Sequence, residues 1–308
     1  MRQGEVAGTG KWIGKAQGGV TAPEPLILPD PQVRFAATAA RLRSVAGGHP
    51  MEGWLRFMAG LAQAQHEAVA GLDSLPAPDL AAVRQAVEAR LPPLAADGHR
   101  RDPLWRVALK VLLHSCGGDC PDEARAVTQR LRARSAGAIE RLADDFLSGA
   151  VEPAEAGAAL YVAAALQVYF TTLAARLPAA ELRLLPERGL CPCCGSTPVA
   201  GVVTASGPTP GTRYLHCSLC STAWNHVRAV CVTCGKSGQL ELIGIEGDAE
   251  AVKAEACGDC QTYAKMLYQA KDADVDPVAD DLASLGLDML VAEAGWRRHA
   301  PNPLVLVG

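Results

Sequence analysis

The sequence predicts an α + small β protein, with an N-terminal all-α helical bundle, two tandem zinc-ribbon-like metal modules and a C-terminal helix. Three observations predict this fold class. Apolar residues recur at helical spacing over residues 34–187. Nine of the eleven cysteines then fall between residues 191 and 260, among short apolar runs separated by Gly, Pro and Ser turns. A last apolar stripe begins after Asp276-Pro277.

Composition limits the classes of protein to consider. Of the 308 residues, 49% are hydrophobic and 20% are charged, which excludes a largely disordered chain. The net charge of −4 offers no basic domain of the kind that nucleic-acid binders carry. The first twenty residues are polar and Gly-rich, unlike a secretory signal. We therefore expect a cytoplasmic protein, in which paired cysteines favour metal sites over disulfides.

The N-terminal half divides into a lead-in and a helical domain. Residues 1–33 are expected to form a tail and an extended lead-in, because residues before proline avoid the helical region. The helical domain is expected over residues 34–187. Its apolar patterns predict helices over residues 34–46, 54–71, 78–91, 103–115, 121–147 and 156–175.

The last of these helices has the length of a membrane span. Residues 156–175 contain no charge, but eight of the twenty are Ala, and Gln167, Thr171 and Thr172 interrupt the run. Alanine contributes little insertion energy, so the composition favours the central buried helix of a bundle.

Four C-x-x-C pairs follow the helical domain. A shift of 40 residues superimposes the first two pairs on the last two, and Gly195 on Gly235, which indicates an internal duplication. The metal-binding region is therefore expected over residues 188–268, as modules 188–228 and 229–268. The duplication assigns Cys191, Cys194, Cys217 and Cys220 to one metal, and Cys231, Cys234, Cys257 and Cys260 to a second.

This spacing suits a four-sulfur site. A C-x-x-C turn aims two sulfurs at one point, and its backbone N–H groups donate to them. Gly195 and Gly235 follow the second cysteine of a pair, where the turn needs a positive φ. Two such turns give a tetrahedral site for zinc or a single iron. Cross-pairing of cysteines between the two modules stays open as an alternative, whereas reduced or disulfide-bonded cysteines are disfavoured.

The remaining cysteines have weaker interpretations. Cys193 breaks the repeat, because Thr233 takes its place in the second module, and we interpret it as a thiol that binds no metal. Cys116 and Cys120 lie near His114 in the helical domain. We interpret these two as ordinary free thiols near a helix end, with a third metal site as the alternative.

Histidine can replace cysteine as a metal ligand, and two histidines lie in the metal region. His216 adjoins Cys217, and His226 follows Trp224 by two positions. Because cysteines already fill all eight ligand positions, we expect both histidines near the sites or on the surface, without binding the metal.

The remaining residues of the chain begin after the second module. Residues 269–308 are expected to form a helix and an irregular tail. The apolar stripe of this helix consists of Val278, Leu282, Leu285, Met289 and Leu290. Asp281, Ser284 and Asp288 mark the opposite, polar face.

No motif indicates an enzyme. The sequence contains no G-x-S-x-G, Walker or H-E-x-x-H motif, and closed four-sulfur sites leave no coordination position for a substrate. Between residues 191 and 260 four basic residues stand against six acidic ones, which argues against nucleic-acid binding there. We therefore expect a protein that is not an enzyme.

Several segments resemble one protein family. RYLHCSLCSTAWNHVRAVCVTC at 213–234 and CPCCG at 191–195 resemble the formate dehydrogenase accessory protein FdhE family. PLILPDP at 25–31, WLRFMAGLAQAQ at 54–65 and VADDLASLGLD at 278–288 agree with it. The resemblance covers about residues 22–308. The departure from the family pattern is Cys193, an additional cysteine that the C-x-x-C spacing does not need.

The resemblance implies a cytoplasmic accessory factor needed for active respiratory formate dehydrogenase. It implies that the eight paired cysteines bind two iron ions in a rubredoxin-like manner, and that the protein contacts the catalytic subunit before export. The alternatives are a rubredoxin-type electron carrier and a zinc-ribbon interaction protein. Aromatic residues with a polar tip are favoured at interfaces, so Tyr214, Trp224 and Tyr263, which flank the C-x-x-C turns, are candidate partner contacts. Their alternative role is to pack against the helical domain.

Overall fold

The computed structural model describes residues 22–115, 120–207, 209–247 and 249–305. In its described parts, the domain predicted over residues 34–187 consists of helices joined by irregular segments, the longest of which covers residues 89–104. Its helices are α1 Pro31–Ala46, α2 Glu52–Val69, α3 Leu80–Glu88, α4 Trp105–Ser115, α5 Asp122–Arg132, α6 Ala136–Ser148 and α7 Ala156–Ala174.

Helix α7 is the centre of the bundle. Sixteen of its nineteen residues are buried, and it contacts α2, α4, α5 and α6. The segment Pro153–Ala174 is long and apolar enough to span a membrane, but most of it is buried inside the protein. Gln65 on α2 donates a 2.9 Å hydrogen bond to the Gln167 side chain of α7, so the polar interruption of this helix is satisfied within the core. The prediction of a central core helix is confirmed.

The single helix predicted over residues 121–147 is wrong, because two helices occupy this region. Helix α5 ends at Arg132, and α6 begins at Ala136. Ser135 lies between them with an extended backbone, and its hydroxyl accepts the Ala138 N–H at 3.3 Å. A serine that caps the start of a helix competes with continuation of the preceding one, which explains the break.

The strands of the described residues form one sheet. They are β1 Leu26–Ile27, β2 Pro198–Val203, β3 Arg213–Cys217, β4 Ala223–Asn225, β5 Leu240–Ile243, β6 Val252–Cys257, β7 Thr262–Tyr268 and β8 Arg297–Arg298. Their order is β1-β4-β3-β2-β7-β6-β5, with β8 pairing with β7. The sequence indicated β2 to β5 as short apolar runs but gave no separate signal for β6 and β7.

The sheet joins two equivalent units. Strands β2, β3 and β4 form one antiparallel unit, and β5, β6 and β7 form a second. Within each unit the strand after the first C-x-x-C turn pairs with the strand that ends at the third cysteine, as Pro198↔Cys217 and Leu240↔Cys257 show. Strands β2 and β7 pair in parallel, and this pairing fuses the units.

Two short segments, Leu26–Ile27 and Arg297–Arg298, also join this sheet, which the sequence did not predict. Within the expected lead-in, Leu26 is buried and pairs with Trp224 of β4. Within the expected irregular tail, Arg297 and Arg298 pair with Thr262 and Tyr263 of β7. A two-residue strand is too short to show an alternating pattern, so sequence periodicity could not detect either one.

The prediction of a single C-terminal helix is also wrong, because two helices, α8 Ala279–Ala283 and α9 Leu285–Glu293, occupy this region. The predicted apolar stripe fails in α9, because Met289 and Leu290 are 67% and 53% exposed, while Leu287 and Val291 are buried. The break at Ser284 turns α9 relative to α8, so one helical period cannot describe both.

The hydrophobic core is shared unequally between the two metal modules. One continuous cluster runs from the helical bundle into the first module and includes Cys191, Cys217 and Trp224. A separate small cluster in the second module contains Ala254, Ala256, Tyr263, Leu287 and Val291. The first module is therefore joined to the helical core through its cysteines, whereas the second contributes Val232, Ala251, Met266 and Leu267 to that cluster and has a small additional core that it shares with α9.

Candidate metal centre

The eight paired cysteines form two four-sulfur groups. Cys191, Cys194, Cys217 and Cys220 form the first site, and Cys231, Cys234, Cys257 and Cys260 form the second. Within each group all four Sγ atoms lie within 4.8 Å of one another. This grouping is the one that the duplication assigned, and it excludes cross-pairing between the modules.

The sulfur spacing fits a tetrahedral metal ion. Metal–sulfur bonds of about 2.3 Å place the sulfurs of a tetrahedron about 3.8 Å apart. The second site has Cys231–Cys260 and Cys234–Cys257 Sγ distances of 3.7 and 3.8 Å. The first site has corresponding distances of 3.5 and 3.4 Å. The cysteines of both sites are free of disulfide bonds, so all eight thiols are available as ligands.

All four C-x-x-C turns place a residue with positive φ directly after the second cysteine. Gly195 and Gly235, at φ 78° and 71°, were expected from the sequence. Ser221 and Gln261 occupy the equivalent positions of the other two turns, at φ 59° and 57°. Non-glycine residues rarely adopt this conformation, so the turn geometry is imposed by the surrounding fold.

Backbone and hydroxyl groups contact the sulfurs in both sites. Cys217 Sγ accepts the Cys220 N–H at 3.3 Å, and Cys231 Sγ accepts the Thr233 N–H at 3.4 Å. Four thiolates around a divalent ion carry a net charge of −2, which such donors stabilise. Thr222 and Thr262 are equivalent positions at the 40-residue shift. The Thr222 hydroxyl lies 3.2 Å from Cys220 Sγ, and the Thr262 hydroxyl lies 3.0 Å from Cys260 Sγ.

Without a cation, burial opposes ionisation of Cys191, Cys220 and Cys231, whereas at Cys260 burial is outweighed by hydrogen bonds from Thr262 and neighbouring cysteines, which lower its pKa to about 7. Burial raises the pKa of Cys231 to about 12, and it raises the pKa of Cys191 and of Cys220 well above the ordinary thiol value. A bound cation favours the thiolate, since a coordinated sulfur loses its proton. The donor set is therefore suited to a metal that binds sulfur strongly, such as iron or zinc.

The helical domain covers the first site from two sides. The loop between α3 and α4 reaches the first turn, where Leu94 and Ala96 donate N–H bonds of 2.8 Å to the carbonyls of Cys193 and Cys194. Helix α7 reaches the other turn, where Gln167 donates to the Ser218 carbonyl at 2.8 Å. All four cysteines of this site are buried as a result.

The second site lies at the surface. Cys234 is exposed and Cys260 is partly exposed, whereas Cys231 and Cys257 are buried. On one side a chain of hydrogen bonds extends away from the site. The Thr262 hydroxyl donates to the Thr233 hydroxyl at 2.8 Å, and that hydroxyl lies 2.8 Å from His299 Nδ1. No sequence pattern indicates a role for His299, which lies 39 residues beyond the last cysteine.

The three aromatic residues considered as partner contacts are packed inside the protein. Trp224, Tyr263 and Tyr214 are 1%, 3% and 9% exposed. Trp224 Nε1 donates to the Arg188 carbonyl at 2.9 Å, and the Tyr263 hydroxyl donates to Asp288 at 2.7 Å. None of the three offers a surface to a partner, so the candidate contact residues need correction.

The histidines near the sites lie outside both sulfur groups, as expected. Burial lowers the pKa of His216 to about 4, and burial followed by the charge of Arg213 lowers that of His226 to about 4. Both rings are therefore neutral near pH 7.

Among the remaining cysteines, Cys193 is fully buried and belongs to neither sulfur group. In the helical domain Cys120 is disulfide-bonded, so its interpretation as a free thiol is wrong. Cys116 lies outside the described residues. Among the described side chains the two four-sulfur groups account for every cluster of three or more candidate ligands.

Three family models match the chain in succession. Residues 23–187 match the one described as FdhE, N-terminal, residues 190–228 match the FdhE central domain, and residues 229–305 match the FdhE C-terminal domain. Together they cover nearly all of the described chain.

Whole proteins are similar over the same length. The chain is 40% identical to a Protein FdhE homolog of Edwardsiella ictaluri over 297 residues, which cover 96% of each chain. It is 36% identical to a homolog of Stutzerimonas stutzeri, with 98% of this chain and 99% of that protein covered. The crystal structure of the FdhE protein from Pseudomonas aeruginosa matches with a TM-score of 0.83 and 35% identity. This match covers 92% of this chain and 99% of that one.

Proposed function

Because the chain belongs to the FdhE family, we propose that it is a cytoplasmic accessory factor for the maturation of a respiratory formate dehydrogenase and is not itself an enzyme. The observation that carries the proposal is the pair of four-cysteine sites on one sheet, joined to a helical domain that is matched over its whole length. Both sites are closed sets of four sulfurs, which suit structural or electron-storing metals better than substrate activation.

The eight cysteines are the proposed ligands of two iron ions, with zinc as the alternative. An iron ion held by four sulfurs supplies one-electron redox chemistry, whereas zinc supplies only structural linkage. The protein's own contribution is to position the sulfurs through the four turns, to donate N–H hydrogen bonds to them and to place the Thr262 hydroxyl beside Cys260 Sγ. Such donors influence metal affinity and potential.

The proposed partner is the catalytic subunit of formate dehydrogenase. Its contact surface is proposed on the second module, because the aromatic residues considered first are buried. Val227, Leu242 and Ile245 are exposed apolar residues of the metal modules, and Leu242 lies on β5, the outermost strand of the sheet. An exposed strand edge with apolar side chains is a common surface for protein association.

A pull-down tests the partner. The purified catalytic subunit is expected to retain the wild-type chain and to lose most of the Leu242→Glu variant. Leu80→Glu is the matched control, because Leu80 is equally exposed but lies on α3 of the helical domain. Equal retention of the two variants would move the contact away from β5. Failure of the wild-type chain to bind would contradict the partner itself.

Metal analysis with a visible spectrum tests the cofactor. Protein purified without oxygen is expected to contain two ions per chain, and ferric four-sulfur sites absorb visible light whereas zinc sites do not. A colourless protein with two zinc ions would favour the alternative of a zinc-ribbon interaction protein.

The second candidate function is a rubredoxin-type electron carrier. The exposure of Cys234 favours it, because electron transfer needs a metal close to the surface. Reversible bleaching of the colour by a reductant, without any binding to the catalytic subunit, would support the carrier over the accessory factor.

A further inference from the structure

We infer that the two metal sites have different chemical roles: the second site exchanges its metal and reacts with soft ligands, whereas the first is a closed structural site. This inference rests on the proposed binding of metal at both sites. Because the sites arose from one duplicated unit, their difference must come from what surrounds them.

The first site is enclosed by the helical domain, whereas the second is contacted on one side by β8 and His299, which follow it in the chain. The helical domain contributes the loop at Leu94 and Ala96 to one turn. At the other turn the Ser221 hydroxyl is contacted by Arg34 Nε at 3.1 Å and by the Thr171 hydroxyl at 3.2 Å. Two helices and a loop therefore hold the turns in place.

The equivalent glycines measure this difference at matched positions. A Cβ atom added to Gly195 would lie 3.2 Å from Pro92, because the loop before α4 packs on that turn. A Cβ atom added to Gly235 would meet nothing within 4 Å. The same turn is thus covered in the first module and open in the second.

The cysteines of the second site are also more exposed than those of the first. All four cysteines of the first site are buried, and its sulfurs belong to the core cluster of the helical bundle. The Cys234 side chain of the second site is exposed, and Cys260 is partly exposed. An incoming ligand can therefore approach the second metal directly, whereas the first becomes accessible only when the helical domain opens.

The reaction at the second site is a ligand exchange. At a loaded site, an incoming thiolate or chelator donor would replace the Cys234 sulfur as a ligand, and the released thiolate would take up a proton from solvent. No electron is transferred in this step. The hydrogen bonds from the Thr233 N–H to Cys231 and between Thr262 and Cys260 keep two other ligands in position, so the site can rebind the metal.

A chelator competition tests the inference on the full chain. The coloured zinc chelator 4-(2-pyridylazo)resorcinol is added to the zinc-loaded protein, and release is followed by absorbance. We expect two phases of one equivalent each, with rates at least ten-fold apart. Cys234→Ser should abolish the fast phase and leave the slow one. Ser148→Ala, at an exposed residue of α6 outside both metal modules, should leave both phases unchanged.

Alkylation gives a second measurement that does not depend on the chelator. Brief treatment with iodoacetamide, followed by peptide mass mapping, is expected to label Cys234 and Cys260 well before the four cysteines of the first site. A single release phase, or labelling of the first site first, would overturn the inference. A protein that binds fewer than two ions would instead contradict the proposed two-metal function, and the order of alkylation would still decide accessibility.

Discussion

Lys265 Nζ lies 3.2 Å from a carboxylate oxygen of Asp281, and both side chains are fully buried. The ammonium group also lies 2.6 Å from Asp288 and donates to the Asp281 and Ser284 carbonyls. This network joins β7 of the second module to α8 and α9. It explains why Asp281, which the helical pattern placed on a polar face, is in the interior.

Replacing Lys265 should therefore destabilise the protein strongly. Lys265→Met removes one of the two cations that pair with the buried Asp281 carboxylate, the other being Arg298, and loss of one partner of a buried pair costs up to about 3–5 kcal/mol. Lys271→Met is the control, because Lys271 pairs with Glu250 at the surface, where a pair contributes at most about 1 kcal/mol. Urea unfolding measures both free energies, and similar values for the two variants would contradict the prediction.

The two metal sites should be separable by mutation. Replacing both Cys231 and Cys234 with Ser should remove one metal ion and leave the other, because no cysteine belongs to both groups. Metal analysis counts the ions, and far-ultraviolet circular dichroism checks that the helices remain. Loss of both ions with the helices intact would show that the sites depend on each other.

The two equivalent glycines should respond differently to substitution. Both have positive φ, so alanine is strained at either position, by about 1 kcal/mol. Gly195→Ala additionally presses its methyl group against Pro92, whereas Gly235→Ala has open space. We expect the larger loss of thermal stability for Gly195→Ala. An equal or smaller loss would show that the loop yields without cost.

Acid should destabilise the fold partly through His226. Burial and the neighbouring Arg213 lower its pKa in the folded protein to about 4, against about 6.5 in the unfolded chain. Between these values the unfolded chain binds the extra proton, so stability falls as the pH falls, by up to about 1.4 kcal/mol per pH unit. Above about pH 6.5 this contribution is constant.

The variant His226→Gln isolates this effect. Its free energy of unfolding should change less steeply between pH 6.5 and 4 than that of the wild type. Because acid also releases metal, the comparison uses the difference in slope between the two proteins at the same metal content. Parallel slopes would assign the acid sensitivity to other groups.

The sequence predicted the parts of this fold that repeat locally. The helices of the bundle carry an apolar period, and the 40-residue shift alone grouped the eight cysteines correctly. The break at Ser135 was missed because the apolar pattern continues across it, although serine is a frequent helix cap. For Trp224 and Tyr263 the sequence left partner contact and internal packing open, because burial depends on which distant segments cover a residue.

The features that distinguish the two sites are likewise products of distant contacts. The loop at Leu94 lies about a hundred residues before the cysteines it covers, and His299 lies well after them. Neither position carries a local pattern that indicates a metal site. The domain boundaries predicted at residues 188, 229 and 269 stay a prediction.

The parallel pairing of β2 with β7 has a consequence for how the protein is made. As the chain leaves the ribosome, the helical domain and β2 emerge before any part of the second module. Strand β7 can pair with β2 only after β2 has formed. The second module is therefore assembled last, by adding β7 to the free edge of β2 in the first module. A chain truncated after residue 228 would then already hold one ion, and the second ion could enter only after Cys257 and Cys260 have been made.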